Sequence, residues 1–290
     1  MPSSTNSGTI RHAEEPDYKT IITDAGLRRR MSRFVKMGVA CGLQCIDNVP
    51  TETIDGIITA TGLGCLADTE KFINSIETNN ERLLNPTPFI QSTFNTVGGQ
   101  IALLKGIKSY NVTYVNRGTS FESALIDAMM QIGEGAKNIV VGAIEEITPA
   151  LIDIETRLGR LKNGAIGEGA YFFCLTNNKE SGVAILDIDT CCHALTTAEV
   201  HSKVKQFLER NSLSVKSIST LINGDMLDRV KPLFTDINIV DFKTLCGEFY
   251  TATAHGVSLA YNATNTNEEK YILVVNSYRN TNFTLILLKK

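Results

Sequence analysis

The sequence predicts an α/β protein whose sheets are buried on both faces. Three observations predict this class: short apolar runs rich in β-branched residues, amphipathic stretches between them at helical spacing, and glycine-rich turns at the junctions. Strands that are covered on both faces have continuous apolar runs and do not alternate with polar residues. Because the pattern occurs twice along the 290 residues, we expect an internally duplicated α/β/α/β/α layered fold.

The first half of the chain, residues 18–160, follows a polar tail at residues 1–17. Apolar side chains at helical spacing predict a helix from Leu27 to Cys45. Asp68 is placed to cap the helix that follows the first strand. The other predicted elements of this half are, in order, a strand at 56–64, a helix at 68–84, a turn that leads into a small-residue helix within 86–107, a strand at 110–116, a helix at 120–132 and a strand at 138–147.

The second half, residues 161–290, repeats this alternation. The apolar runs 170–177 and 182–189 predict two strands, which we expect to form a hairpin around the polar connection NNKESG. The other predicted elements are, in order, a helix at 196–211, strands at 219–224 and 237–242, a helix at 248–263, and two strands at 271–278 and 281–290 that form a second hairpin.

The composition excludes several classes of protein. Lys and Arg total 28 and Asp and Glu total 31, which gives a net charge of −3. Because no basic excess is available to neutralise a phosphate backbone, we expect no nucleic-acid partner. No apolar run approaches the roughly 20 residues that cross a bilayer, and the polar first residues do not form a signal peptide. We therefore expect a cytoplasmic protein with no membrane partner.

The cysteines and glycines give no sign of a cofactor. Seven cysteines, most of them within apolar stretches, predict reduced and buried thiols. Neither Cys41 with Cys45 nor the adjacent Cys191 and Cys192 has a paired metal-ligand spacing. The glycine-rich stretches lack the G-x-G-x-x-G and P-loop spacings. We expect neither a metal nor a cofactor.

One junction has a geometry that is suited to chemistry. The predicted strand YNVTYVN is followed by the short turn Arg117–Ser120 and then by a long amphipathic helix. Backbone N–H groups and the helix dipole at such a junction stabilise an anion or an oxyanion. Many α/β proteins have the same junction without a catalytic role, so its geometry alone favours a purely structural turn.

Ordered motifs in both halves resemble a known family. They are RRMSRFVKMGVA, TGLGCLADTEKF, NPTPFIQSTFNTVGGQIAL, YNVTYVNRGTSFESAL, IGEGAYFFCL, LINGDMLD, DFKTLCGEF and NSYRNTNFTLIL. From about Tyr18 onward the chain resembles β-ketoacyl-acyl-carrier-protein synthases of the thiolase superfamily, and most closely the branch found in flexirubin and aryl-polyene pigment clusters. The resemblance implies a dimer and a duplicated thiolase-like fold. The polar tail stands where the family has its opening strand, so we expect a fold truncated at the N-terminus.

The resemblance also implies a site whose catalytic groups are replaced. The family uses an acylated cysteine at the strand–helix turn and two histidines. The cysteine position maps onto Thr119, or onto Gly118 if the register slips by one residue. The two histidine positions map onto Asn223 and Glu248, and the family's lysine is retained as Lys243.

These replacements remove the chemistry that the family needs. A threonine hydroxyl is far less acidic than a thiol, Asn223 cannot change its protonation state near neutral pH, and an ionised Glu248 would repel a developing enolate. Lys243 and Glu248 are close enough in sequence to form a structural ion pair. Ser120 is an alternative nucleophile, although a helix cap is the commoner role of a serine at that position.

Three functions remain open. The first is a ketosynthase-like subunit of fatty-acid or polyketide biosynthesis, of the polyene-pigment type, which acts as a chain-length factor or a structural partner of an intact ketosynthase. The second is a β-ketoacyl synthase or acyltransferase whose nucleophile is Thr119 or Ser120. The third is a non-catalytic homodimer that binds an acyl group or a carrier protein. The basic run Arg28–Arg30 is either a docking face for acyl carrier protein or a solvated helix face.

Overall fold

Two sheets form from the apolar runs of the sequence, with helices between and outside them. The computed structural model describes residues 9–161, 165–178, 182–263 and 270–290. The strands are β1 (Ile10–Arg11), β2 (Ile54–Ala60), β3 (Tyr110–Tyr114), β4 (Asn138–Glu145), β5 (Ile166–Gly167), β6 (Gly169–Thr176), β7 (Ala184–Cys191), β8 (Ile218–Gly224), β9 (Asn238–Asp241), β10 (Tyr271–Asn276) and β11 (Phe283–Lys289). The helices are α1 (Tyr18–Ile21), α2 (Ala25–Arg30), α3 (Arg33–Cys45), α4 (Leu66–Thr78), α5 (Pro86–Gln91), α6 (Thr96–Lys105), α7 (Ser120–Gly133), α8 (Pro149–Arg157), α9 (Thr197–Arg210), α10 (Leu227–Val230), α11 (Lys243–Cys246) and α12 (Thr253–Ala263).

The two sheets have the same order over four strands. The first sheet runs β3-β2-β4-β6 and the second runs β7-β11-β10-β8-β9. In the first, β2 is parallel to β3 and β4, and β6 is antiparallel to β4. In the second, β8 is parallel to β9 and β10, and β11 is antiparallel to β10. The repeated order confirms the predicted duplication, and β7 has no counterpart among the described strands of the first sheet.

The central layer between the sheets contains α7 and α12. Phe121 and Leu125 of α7 and Val257 of α12 share one apolar core with Val141 of the first sheet and Val274 of the second. Separate cores cover the outer faces of the sheets, with α3 and α6 on the first sheet and α9 on the second. The predicted layered α/β/α/β/α fold is therefore confirmed.

The predicted hairpin over residues 170–177 and 182–189 is wrong. β6 pairs with β4 in the first sheet, whereas β7 pairs with β11 in the second. Two consecutive apolar strands resemble a hairpin in sequence, and only the position of their partners separates them into different sheets. The sheets thus divide the chain between Thr176 and Ala184, later than the predicted boundary after residue 160. The second predicted hairpin, β10 with β11, is confirmed.

The beginning of the chain is more ordered than a loose tail. The single helix predicted from Leu27 to Cys45 is interrupted, because the Ser32 side chain accepts a hydrogen bond from the N–H of Val35 and starts α3 as a new helix. Before α1, β1 pairs with β5, and His12 contacts Glu168. Residues 1–8 of the predicted tail lie outside the described residues. Within the described part of the chain, no helix has both the length and the apolar content needed to cross a membrane.

Candidate functional site

The strand–helix junction consists of the end of β3, a short 3-10 turn at Arg117–Thr119 and the start of α7. Arg117 has a left-handed backbone conformation with φ of 52°. Such a conformation is uncommon for a residue with a Cβ, and it is often found where a strand turns sharply into a helix. The sharpest position of the turn is therefore Arg117, two residues before Thr119. No pattern in the sequence indicates this, because arginine has no preference for that conformation.

The Thr119 hydroxyl is used within the turn. Its side chain is almost buried, and its Oγ1 donates a hydrogen bond to the carbonyl oxygen of Asn116 at 3.0 Å. Its own carbonyl accepts a hydrogen bond from Oγ of Ser123 at 2.9 Å. These contacts hold the turn against the first residues of α7, and none of them comes from a base that would activate the hydroxyl.

Ser120 also stabilises the turn. It is fully buried. Its Oγ donates to the carbonyl of Arg117 at 2.7 Å and accepts from the N–H of Asn116 at 2.8 Å. Because both capacities of this hydroxyl are satisfied by the backbone, Ser120 closes the turn and presents no oxygen to solvent.

Two tyrosine rings fill the space beside the turn. A Cβ on Gly118 would lie 2.7 Å from the Cβ of Tyr278, and a Cβ on Gly62 would overlap Tyr250. The rings of Tyr250 and Tyr278 stack with their centroids 4.4 Å apart. Asn282 fixes this arrangement, because it donates to the carbonyl of Gly118 at 2.7 Å and accepts from the N–H of Tyr278 at 2.5 Å. The two glycines are needed for this close approach.

Asn223 stands at the end of β8 and is fully buried. Its Oδ1 accepts a hydrogen bond from the N–H of Met226 at 3.1 Å, which stabilises the loop after the strand. Its Nδ2 has no partner among the described residues. A buried amide N–H without a partner costs about 1–3 kcal/mol, so this side chain is poised to donate to one further acceptor.

Lys243 and Glu248 form the ion pair that the sequence predicts. Nζ of Lys243 lies 2.7 Å from Oε2 of Glu248 and also donates to the carbonyl of Ser277 at 2.6 Å. Burial raises the pKa of Glu248, and the charge of Lys243 opposes this rise. The ammonium is thus neutralised by its neighbour and held by a backbone oxygen.

The structure brings the four predicted positions to one place. The N–H of Ser277 donates to the carbonyl of Gly224, which follows Asn223, at 3.3 Å. Ser277 contacts Lys243 directly, and Tyr278 packs on Gly118. The turn at Thr119, the end of β8 and the ion pair therefore surround the segment after β10. Whether these residues correspond one by one to the family's catalytic positions stays a prediction.

A buried carboxyl group near this segment was missed by the sequence reasoning. Glu122 is fully buried on α7, and its Oε1 accepts hydrogen bonds from the hydroxyls of Thr253 at 2.6 Å and Thr284 at 3.2 Å. Burial raises its pKa to about 7, although the hydrogen bond from Thr253 opposes this. The available signal was the position of Glu122 on the apolar face of the helix, three residues before Leu125.

The histidines have other roles. His255 packs against the rings of Tyr171 and Phe242, with centroids 5.4 and 6.3 Å apart, and burial lowers its pKa. Nε2 of His201 lies 2.7 Å from the carbonyl of Arg229. Across the described ranges, no three His, Cys, Asp or Glu side chains are grouped to hold a metal ion.

Two of the basic residues near the start of the chain, Arg28 and Arg33, form hydrogen bonds within the protein. Arg28 donates to the carbonyl of Ile22. Arg33 makes two hydrogen bonds of 2.7 Å to the fully buried carboxylate of Glu168. This carboxylate also accepts from the N–H groups of Ile147 at 2.8 Å and Ala13 at 3.3 Å, and it lies 2.9 Å from Nδ1 of His12. Burial alone would raise the pKa of Glu168, but these hydrogen bonds hold it at about 2. Arg33 is therefore a structural cation that joins α3 to the start of β6.

Comparison with known proteins gives consistent results. The family model described as "Beta-ketoacyl synthase, N-terminal domain" matches residues 4–156. The curated 3-oxoacyl-[acyl-carrier-protein] synthase 2 of Vibrio harveyi is 25% identical over 124 residues, which are 40% of this chain and 28% of that protein. The chain therefore spans less than a third of the length of this relative.

Solved structures share the fold across nearly the whole chain. The ishigamide ketosynthase/chain length factor has a TM-score of 0.78 at 17% identity and covers 96% of this chain and 86% of its own. The complex AntDE:AntF, a type II polyketide synthase acyl-carrier protein with its ketosynthase bound to the hexaketide, has a TM-score of 0.78 at 14% identity, with 97% and 90% covered. The ketosynthase ApeO in complex with its chain length factor ApeC from Xenorhabdus doucetiae has a TM-score of 0.53 at 11% identity, with 91% and 80% covered. At these identities the matches establish the fold.

Proposed function

The chain belongs to the β-ketoacyl synthase family, and from this membership we propose that it is a ketosynthase-like subunit that has lost the condensing reaction. It acts as a chain-length-factor-like or structural partner of an intact ketosynthase in fatty-acid or polyketide biosynthesis of the polyene-pigment type. We place the protein in the cytoplasm, where its seven free cysteines stay reduced. We assign the two ketoacyl-synthase-like halves to residues 18–160 and 161–290, which together form one functional unit.

The closed turn at the start of α7 carries this proposal. Condensation needs a nucleophile that an acyl thioester can reach. The hydroxyls of Thr119 and Ser120 are hydrogen-bonded within the turn, and the stacked rings of Tyr250 and Tyr278 occupy the space against Gly118. In this arrangement the Ser120 oxygen is fully buried and the Thr119 hydroxyl is engaged with the backbone of the turn.

The groups at the two histidine positions are also poorly suited to move a proton. Asn223 is an amide, and Glu248 is paired with Lys243 at 2.7 Å. If the nucleophile's position is instead Arg117, the left-handed residue of the turn, the conclusion is unchanged, because a guanidinium is always protonated and offers no nucleophile. Each assignment of the turn residue thus supports a subunit that depends on a partner for chemistry.

The exposed side of the first sheet supports an intact ketosynthase as that partner. β3 is an edge strand, and apolar side chains surround it. Leu103 is 73% exposed, Met130 59% and Tyr110 40%. Exposed apolar patches of this kind mark protein interfaces. Among the structural neighbours, ApeO is a ketosynthase in complex with a chain length factor and AntF is an acyl-carrier protein in complex with a ketosynthase. We assign the same two kinds of partner to this chain, with a homodimer as the competing assembly.

Covalent acylation tests the loss of chemistry. We expect intact-mass spectrometry to show no adduct when the protein is incubated with an acyl-carrier-protein thioester, while an intact ketosynthase treated in parallel gains the acyl mass. A stoichiometric adduct mapped to Thr119 or Ser120 would show that the turn opens and would replace this proposal with a Thr/Ser acyltransferase.

Association tests the partner. We expect native mass spectrometry of the protein, co-expressed with an intact ketosynthase from its gene neighbourhood, to show a one-to-one heterodimer. Leu103→Glu should weaken it at least about tenfold, because a charge replaces an exposed apolar side chain beside β3. Ile154→Glu, an equally charged change at a side chain that is 52% exposed on α8, is the matched control. A heterodimer that tolerates Leu103→Glu, or a homodimer that excludes the ketosynthase, contradicts the proposed assembly.

A further inference from the structure

The outer edge of β6 is open. Within the described ranges, β6 pairs with β4 on one side and no strand pairs with its other side. In the second sheet, the equivalent strand β11 is covered along its whole length by β7, from Phe283 opposite Cys191 to Lys289 opposite Ala184. Among the described residues, the same place in the duplicated fold thus holds a strand in one half and none in the other.

The order of elements along the chain shows which element the first half lacks. In the second half, β7 precedes α9, and α9 is followed by β8. In the first half, α3 is followed by β2 in the same way, so a counterpart of β7 would precede α3. The described elements before α3 are α1, α2 and β1. β1 pairs with β5 at Ile10 opposite Ile166. Because β5 comes directly before β6 in the chain, β1 lies before the start of β6 and not beside it. No described segment of this chain occupies the place that β7 occupies in the second half.

The chemistry of this edge differs from that of both edges of the second sheet. Edge strands usually carry charges, prolines or bulges that prevent pairing with another chain. β7 presents Asp187 and Asp189, and β9 ends at Asp241. β6 has the sequence GAYFFCLT, with neither a charge nor a proline in eight residues. This composition suits a strand that has neighbours on both sides.

A cleft of about 1030 Å³ follows this edge. It is lined by Phe172 and Cys174, which lie on the α3 side of the sheet, and by Phe173 and Leu175, which lie on the side of α7. Because side chains from both faces of one strand line it, the cleft passes around the edge of the sheet. That is the shape left when one strand is removed from a sheet packed on both faces.

We propose that the outer edge of β6 binds an extended segment of another polypeptide chain. The segment runs antiparallel to β6, as β7 does to β11, and has uncharged apolar side chains on both faces, because both faces of β6 at the cleft are apolar. The outward N–H and C=O groups of β6 supply the affinity, and the cleft selects the side chains. This binding site does not depend on whether the chain retains acyl chemistry.

A single extended segment fits the edge better than a second copy of the protein. The start of β7, at Val183–Ile185, and the last turns of α12, at Val257–Asn262, form walls of the cleft. A second copy that presented its own β6 would bring the same walls with it, and both sets of walls would have to fit beside two strands only 4.7–4.9 Å apart. A segment without flanking layers enters the recess freely.

A peptide derived from the sequence of β7 is the probe. It contains residues 184–190 with Asp187→Val and Asp189→Val, and a pair of lysines at each end for solubility. In hydrogen–deuterium exchange of the full chain, we expect the β6 amides to exchange faster than those of β11 without the peptide and to slow by at least about tenfold with it. The control peptide has the same side chains with an N-methyl group on every residue of the segment 184–190, so it keeps the apolar side chains but has no N–H on either edge with which to pair with a strand.

One variant pair completes the test. Leu175→Lys places a charge on the edge and should weaken peptide binding at least about tenfold, whereas Leu186→Lys, on the exposed edge strand β7, should change it less than about twofold. Equal binding of the N-methylated peptide would overturn the proposal in favour of a small apolar ligand. Protection of β6 that rises with protein concentration alone would overturn it in favour of a second copy. If Leu175→Lys fails to fold, the two peptides still decide the question on the native chain.

Discussion

The two halves of the molecule share four strands in the same order but differ at one edge. In the second sheet, β11 lies between β10 and β7, and its side chains from Phe283 to Leu288 are at most 2% exposed. In the first, β6 has the same place and an equally apolar sequence, yet Ala170–Thr176 are only half-buried. Burial here is thus determined by the presence of a neighbouring strand and not by the composition of the strand itself.

The two halves also differ in the contacts that stabilise this edge of the sheet. β7 covers the second half with backbone hydrogen bonds. At the start of β6 the first half instead has a buried carboxylate, Glu168, that ties Arg33 of α3 and the N–H of Ile147 to the strand. A charge network at this point can stabilise the sheet locally, but it cannot cover the eight residues that follow it.

The largest expected effect concerns this network. Arg33→Met leaves the buried Glu168 carboxylate without its cation, which should lower the free energy of unfolding by about 3–5 kcal/mol, measured by urea denaturation. Arg29→Met, at an exposed residue of α2, is the control and should have little effect. The pKa of Glu168 is held at about 2, so its stabilisation is present above its ordinary value near 4.5 and is lost as pH falls towards 2. The loss in free energy of unfolding caused by Arg33→Met should become smaller over that pH range. A loss that stays constant with pH would argue against the ion pair as its cause.

The next effect compares the two strands directly. Leu288 of β11 is 1% exposed and Leu175 of β6 is half-buried, and both belong to the central core. Leu288→Ala should cost about 2–5 kcal/mol through the lost contacts and the cavity, and Leu175→Ala less than about 1.5 kcal/mol. Equal losses in thermal or urea unfolding would mean that β6 is covered in solution, which would remove the difference between the halves.

The smallest effect at any one pH step, a change in the slope of stability against pH, concerns the carboxyl group buried between the halves. Burial raises the pKa of Glu122 from its ordinary 4.5 to about 7, so between these values the folded protein binds a proton that the unfolded chain does not. Stability should therefore fall as pH rises from 4.5 to 7, by up to about 1.4 kcal/mol per pH unit for this group. Glu122→Gln should reduce that slope, and the change should be absent in Glu134→Gln, which alters an exposed carboxyl group just after the same helix. A slope that Glu122→Gln leaves unchanged would mean that Glu122 is ionised in the folded state.

Much of the site could be placed from the sequence, because it depends on local patterns. The strand–turn–helix junction at Thr119, the end of β8 at Asn223 and the pairing of Lys243 with Glu248 follow from element boundaries and residue spacing. The role of Arg117 could not be predicted, because its backbone conformation is imposed by the packing of β3 and α7. Tyr250 and Tyr278 could not be predicted either, because they are distant in sequence from Gly62 and Gly118, on which they pack.

The sequence by itself determined the duplicated α/β class, the alternation of elements and the absence of a cysteine near the turn, because hydrophobic periodicity and residue identity are written along the chain. Only the tertiary structure decided which strands are neighbours. The separation of β6 from β7 into different sheets, the open edge that results and the closure of the turn by two tyrosine rings depend on contacts between residues far apart in sequence. Such contacts are chosen by the burial of whole surfaces and not by the pattern of any one segment.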